Sequence, residues 1–254
     1  MNAARRTAAD AIDAPGTPEA RWAEWDGLLR LPAAVPPHGP VLVVAAHPDD
    51  EVLGFGGAMA GLAADGGDVH LVSVTDGEGS HPRSSLVSPS QLGAMRETEL
   101  EQALADLGLP DLRPRRLQVP DTRVHQYEDD VASAIAGALR ETGATLCAAP
   151  WTGDLHSDHE AAGRAAVTAC RAVGVPLWLY PVWMWHWARP GDARVPWQDA
   201  ARLVLQPSAA TRKQRAIQRF TSQIMPLTTG EGDAAILPPE ELAHHLRPFE
   251  VVFR

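Results

Sequence analysis

Cysteine is scarce: Cys147 and Cys170 are the only two in 254 residues. Two thiols with no close spacing make neither a disulfide framework nor a zinc ribbon, and structural cysteine in apolar surroundings is the reading that remains. Positive charge is short as well. Lys and Arg number 22 against 32 Asp and Glu, giving a net charge of -10 and a pI of about 5.4. A general nucleic-acid binder needs a basic face to neutralise phosphates, so no nucleic-acid partner is expected. No run of about 18 apolar residues exists, so no membrane span is expected either. The N-terminal stretch "MNAARRTAADAIDAPGTPEA" has a basic pair with no apolar segment behind it. It supports neither a Sec-type nor a twin-arginine signal, which leaves the cytoplasm as the default location.

What is present is a foldable chain, 45% hydrophobic and 21% charged, of a length that suits one α/β domain. Residues 1–20, small and polar, read as a loose tail. Trp22, Trp25, Leu28 and Leu29 have helical spacing within 21–31. Segments at 41–46, 69–75, 115–119, 144–150 and 176–182 read as strands, with a late candidate at 202–206. Helical patterns lie between them: one running to about Ala64, then 91–107, 129–143 and 159–174, with a further one at 208–224. Strands alternating with helices imply βαβ units and a mainly parallel sheet. We therefore expect one domain over 1–254, with its core in 40–225.

The first strand, "VLVVAA", runs straight into His47, Pro48, Asp49, Asp50 and Glu51. In an open parallel sheet, ligands bind beyond the carboxyl ends of the strands, where this turn falls. A helix start explains Pro48 and one or two acids, but it has no use for His47. An imidazole and a carboxylate three residues apart can face one metal ion, which leaves Asp49 to point elsewhere as a base. Gly54, Gly56 and Gly57 form no dinucleotide fingerprint, because they fall inside the helix, where they suit close helix–sheet packing.

A second cluster, "DLHSDHE" (154–160), follows the fourth strand. Ser157 and Glu160 have the spacing of a capping box, but that motif asks for neither His156 nor His159, nor for Asp158 between them. A parallel sheet brings this loop to the same edge as His47. Two histidines and a carboxylate with an open position make a catalytic zinc arrangement, and equally that of certain iron(II) sites.

Taken together, "AHPDDE" and "HSDH" resemble the PIG-L/LmbE-like family of zinc-dependent N-acetylglucosaminyl de-N-acetylases. The likeness covers roughly residues 40–225. Weaker matches lie at "TDGEG" (75–79), "RETELEQALADLG" (96–108), "PDTRV" (120–124) and "KQRAIQRFTSQ" (213–223). The resemblance implies an α/β, Rossmann-like sheet with helices on both faces. It also implies hydrolysis of the acetamide of an N-acylated amino sugar or its conjugate. His47, Asp50 and His159 would hold Zn2+, with Fe2+ or another divalent ion as alternatives. Asp49 would be the general base, and His156 would stabilise the oxyanion in protonated form, oriented by Asp158. Arg96 and Asp121 match positions that hold the sugar. The chain departs from the pattern twice: Ser157 replaces the usual Pro, and Asp154 stands where some relatives keep a Tyr.

The expected partner is a small N-acylated amino sugar or glycoside. The competing readings are an amidase cutting a larger acyl group from a sugar–thiol conjugate, an iron(II) oxygenase, and a non-catalytic metal- or sugar-binding module. Trp183, Trp185 and Trp187 alternate at period two, as on one face of an extended segment. They suit core packing or a homo-oligomer contact more than sugar stacking. His186 reads as a packed or rim histidine, and His244 and His245 as surface residues.

Overall fold

The computed structural model describes Ile12, residues 14–230 and residues 232–254. Its sheet contains β1 (Val41–Ala45), β2 (Val69–Ser73), β3 (Arg115–Arg116), β4 (Leu146–Pro150), β5 (Leu177–Tyr180), β6 (Ala200–Val204) and β7 (Phe249–Phe253). Their spatial order is β3-β2-β1-β4-β5-β7-β6. The first five strands are parallel, and β7 runs antiparallel between β5 and β6. The β7 strand had no counterpart among the sequence expectations. It makes the far edge of this mainly parallel sheet antiparallel.

The longer helices are α3 (Asp50–Ala64), α4 (Pro89–Leu107), α5 (Glu128–Thr142), α6 (Ser157–Val173) and α8 (Pro207–Ile217). Short turns complete the set: α1 (Glu19–Ala23), α2 (Gly27–Arg30), α7 (Met184–Trp187), α9 (Thr221–Ile224) and α10 (Pro239–Leu242). The single helix expected over 21–31 is two pieces, and the one expected over 208–224 is also split.

Every residue of β1 is buried, because both faces of the sheet are covered. Val41, Val43 and Ala45 face a core shared with Phe55, Leu104 and Ile217 of α3, α4 and α8. Leu42 and Val44 face another, shared with Ile135 and Ala166 of α5 and α6. Period-two alternation thus serves two interiors at once. Gly54 is required by the first: a Cβ there would lie 2.1 Å from the Tyr180 ring.

A third cluster sits around β7. Trp22, Trp185 and Phe253 pack there together with Met184. The N-terminal approach is tied to it, since Thr17 donates to the His186 and Ala188 carbonyls. The loose tail expected over 1–20 therefore does not extend to Thr17; residues 1–11 and 13 lie outside the described residues. His244 and His245 are buried rather than on the surface. His244 Nδ1 meets Glu19 Oε2 at 2.7 Å, and His245 Nδ1 donates to the Leu53 carbonyl at 3.2 Å. Lys213, the chain's single lysine, is buried on α8 and bonds both Glu250 and the Leu53 carbonyl at 2.7 Å. Glu250 in turn accepts from the amides of Gly57 and Ala58, so β7 grips the helix that follows the acidic turn.

Candidate active site

From β1 the chain proceeds through β2 to β3 on one side, then returns to β4 and β5 on the other. The carboxyl ends of β1 and β4 therefore flank the point where the strand order reverses, a natural crevice. His47 follows β1 and the 151–159 loop follows β4, and their side chains meet there.

Three groups converge. His47 Nδ1 lies 3.3 Å from His159 Nε2 and 3.4 Å from Asp50 Oδ2, and His159 Nε2 lies 3.1 Å from Asp50 Oδ1. Ligands about 2.0–2.1 Å from a tetrahedral ion sit roughly 3.3–3.4 Å apart, so this donor set fits a small divalent cation. His156 also offers a nitrogen within 4.8 Å of His47 and His159. The closer contacts favour Asp50 as the third donor. Burial alone would push the His47 and His159 imidazoles down, yet both are held above the ordinary range by carboxylates. Asp121, Asp158 and Asp50 act on His47, and Asp50 and Asp154 on His159, which reaches about 9. The surroundings call for positive charge.

Outside this triangle each imidazole has a carboxylate behind it. His47 Nε2 lies 3.1 Å from Asp121 Oδ1, and the other oxygen of Asp121 accepts from the Gly79 amide at 2.8 Å. His159 Nδ1 donates to Asp154 Oδ2 at 2.7 Å. Such partners fix the tautomer and ring orientation of a ligand histidine. Asp154 was missed as a functional residue. The signal available was a carboxylate five residues before a candidate ligand histidine, at the place of a family tyrosine. It is fully buried, and it also accepts from the amides of Val182, Trp183 and Met184.

Asp158 corrects an expectation. Its carboxylate accepts from the amides of Thr122 and Val124 and lies 3.5 Å from His47 Nε2. His156 Nδ1 has no hydrogen-bond partner among the described residues. The expected Asp158–His156 pair is therefore absent, because the first turn of α6 points Asp158 toward the 120–124 loop. The surroundings of His156 disfavour its charged form. Packing, reinforced by His159 and His47, keeps its pKa well below the ordinary value. The capping box is also absent: His156 is the cap residue, and Glu160 reaches back to the Leu155 amide instead.

Asp49 caps α3 with φ 146° and ψ -29°. That region favours glycine and costs an aspartate about 1–3 kcal/mol. The conformation is held by the Val52 and Leu53 amides on its carbonyl and by Arg96, whose Nη2 lies 3.0 Å from Asp49 Oδ2. Burial lifts the Asp49 carboxyl to about 6 against the pull of Arg96. Arg96 is itself buried on α4 and donates to the Pro48 and Gly77 carbonyls. Gly77, at φ 66°, has no room for a Cβ beside that guanidinium. Arg96 and Asp121 both line the cavity; the Nη atoms of Arg96 meet Asp49 and the Pro48 and Gly77 carbonyls, and Asp121 meets His47 and the Gly79 amide. Glu51 is fully buried and pushed up to about 8 by that burial.

His47, Asp49, Asp50, Arg96, Asp121, His156 and His159 line one cavity of about 510 Å³, whose walls include Leu53, Trp183, His186, Gln223, Leu237 and Glu241. The tryptophan segment is not extended. It turns as α7, which places Trp185 in the core and Trp183 on the cavity wall, while Trp187 stacks on Trp151 at 6.3 Å. His186 is at the rim, with Nδ1 on Glu241 and Nε2 on the Ala14 carbonyl. No described helix is long and apolar enough to cross a membrane.

The family model "PIG-L: GlcNAc-PI de-N-acetylase" matches residues 42–170. Similar proteins include 1D-myo-inositol 2-acetamido-2-deoxy-alpha-D-glucopyranoside deacetylase of Rhodococcus opacus. It is 32% identical over 205 residues, which are 71% of this chain and 65% of that protein. The protein of the same name from Rhodococcus jostii is 34% identical over 53% of this chain and 54% of its own length. The chain thus spans less than two thirds of the length of these relatives. Among solved structures, a zinc-inhibited form of teicoplanin deacetylase superposes with a TM-score of 0.60 at 21% identity, covering 84% of this chain and 97% of that one. N,N'-diacetylchitobiose deacetylase from Pyrococcus horikoshii gives 0.57 at 20% identity, covering 79% and 74%. At these identities the likeness is one of fold.

Proposed function

The chain belongs to the PIG-L family, and from that premise we propose that it hydrolyses the acetamide of an N-acylated amino sugar or its conjugate, releasing acetate and a free amine. The observation that carries this reading is the convergence of His47, Asp50 and His159 donor atoms at 3.1–3.4 Å, with the carboxylate of Asp49 beside them in the same cavity. The relatives whose names describe acetamido-sugar deacetylases support the substrate class.

His47, Asp50 and His159 would hold the metal, and Zn2+ is the ion we favour, because two imidazoles and a carboxylate are a catalytic zinc donor set. A divalent ion held by these residues would acidify a water and polarise the acetamide oxygen. Asp49 accepts the proton of the attacking water and delivers it to the departing nitrogen. Arg96 fixes the carboxylate of Asp49 for both transfers. His156, unpartnered at Nδ1, stabilises the oxyanion as a neutral hydrogen-bond donor, where a single lost donor typically costs about 2.7–4 kcal/mol. Asp121 and Asp158 act through His47, and Asp154 through His159, as orienting groups. We retain the cytoplasm as its location.

The test is a screen for primary-amine release across N-acetylated sugars, with zinc present and with chelator added. Turnover that survives chelation, or no amine release from any N-acetylated sugar with metal supplied, refutes the reading.

A further inference from the structure

The cavity lining falls into two unlike halves by chemistry. One is the cluster of His47, Asp49, Asp50, Asp121, His156 and His159 just described. The other is built from Leu53, Val182, Trp183, Ile236, Leu237 and Pro238, which line the same space. Leu53, Val182 and Leu237 are buried, while Trp183 and Ile236 pack at the edge of the core and stay partly open. Several polar groups beside these residues already have partners. Both ring nitrogens of His186 are occupied, by Glu241 and by the Ala14 carbonyl. Ser80 Oγ bonds the His81 ring and the Gln223 amide, and the Gln223 backbone carbonyl receives the amides of Ile236 and Leu237.

We propose that this half is an acceptor subsite for an apolar aglycone, aryl or alkyl, carried by the amino sugar whose acetamide reaches the metal-binding half. The inference rests on the deacetylase reading and narrows its substrate class. It separates this chain from a polyol acceptor such as inositol. A ring of hydroxyls placed against Trp183, Ile236 and Leu237 loses water without gaining hydrogen bonds, which is costly. A phenyl or alkyl group in the same place gains apolar burial. Trp183, partly exposed on the cavity wall, supplies an indole for stacking. Its amide is held by Asp154, the carboxylate that also orients His159, so this wall is fixed in register with the reacting centre.

The test compares the phenyl, octyl and myo-inositol α-glycosides of N-acetylglucosamine on the full, zinc-loaded chain, following amine release. The phenyl and octyl glycosides are expected to exceed the inositol glycoside in kcat/KM by roughly tenfold or more, chiefly through KM. Trp183→Ala and, independently, Leu237→Ser should collapse that ratio toward one; Leu237→Ser carries the test where the tryptophan variant fails to fold. An inositol glycoside turned over as well as the phenyl one, or a ratio untouched in folded variants, overturns the proposal. Equilibrium binding of the corresponding phenyl and inositol glucosaminides separates the two levels of inference. Tighter phenyl binding without any turnover sinks the deacetylase activity while the apolar subsite stands. Equal binding sinks the subsite.

Discussion

Asp154→Asn is the change that asks most of the structure. The carboxylate uses both oxygens: Oδ2 accepts from His159 Nδ1 at 2.7 Å and Trp183 N at 2.9 Å, and Oδ1 from Val182 N at 3.1 Å and Met184 N at 2.8 Å. An asparagine can present oxygen to one pair only, so its NH2 must face two buried donors in either orientation. Each unmade buried hydrogen bond costs about 1–3 kcal/mol, or roughly 2–6 kcal/mol for the two. In a chain of this size that lowers the melting temperature by about 4–24 °C. A second effect reaches the metal. Loss of the carboxylate behind a ligand histidine typically weakens metal affinity by about 10–100-fold. The assay is competition for zinc between the apo protein and a chromophoric chelator, run beside thermal melts. A folded variant that melts within about 2 °C of the parent and binds zinc with the same affinity refutes the reasoning.

Asp49→Asn should keep its metal and lose about 10²–10⁴ in kcat, since a positioned base is worth that much; full turnover in a zinc-replete preparation excludes Asp49 as the base. Lys213→Met leaves the buried Glu250 carboxylate without its cation at 2.7 Å. A loss of about 3–5 kcal/mol follows, read as a melting point lower by roughly 6–20 °C; a drop under 2 °C contradicts it. Gly163→Ala puts a Cβ 2.4 Å from the Pro150 carbonyl oxygen. Backbone cannot move aside cheaply, so a cost of at least about 1–3 kcal/mol is expected in denaturant unfolding. Burial pushes Glu19 up, but the hydrogen bonds and charges of His244 and Arg247 pull its carboxyl below the ordinary glutamate value. A carboxyl depressed by folding adds stability above its unfolded pKa and loses it as pH falls through the folded one. The melting difference between the parent and Glu19→Gln should therefore be full at pH 7 and shrink below about 4.5; a constant difference rejects the ion pair as its source.

Much of the site could be read from residue types and spacing. His47 and Asp50 sit three apart at the end of a run apolar at every position, and His156 and His159 repeat that spacing after a second strand. A parallel sheet leaves such loops on one edge, so their convergence followed from topology alone. The glycines of α3 were legible as packing positions, and Gly54 and Gly57 do meet Tyr180 and Leu205. The Trp183–Trp187 run misled, because alternation of aromatics says nothing about a hydrogen-bonded turn imposed by Asp154. His244 and His245 misled for a related reason. Polar type suggests surface, but Glu19 and the Leu53 carbonyl supply the partners that make burial tolerable.

By itself the sequence determined which side chains are available at the crevice, since backbone period and strand order carry His47, Asp50 and His159 there. Tertiary structure decided how the surrounding acids are shared out. Asp121 and Asp158 turn to His47, Asp154 to His159, and none to His156. Those pairings depend on loop paths between segments tens of residues apart and on which buried amides compete for each oxygen. No local rule of spacing contains them.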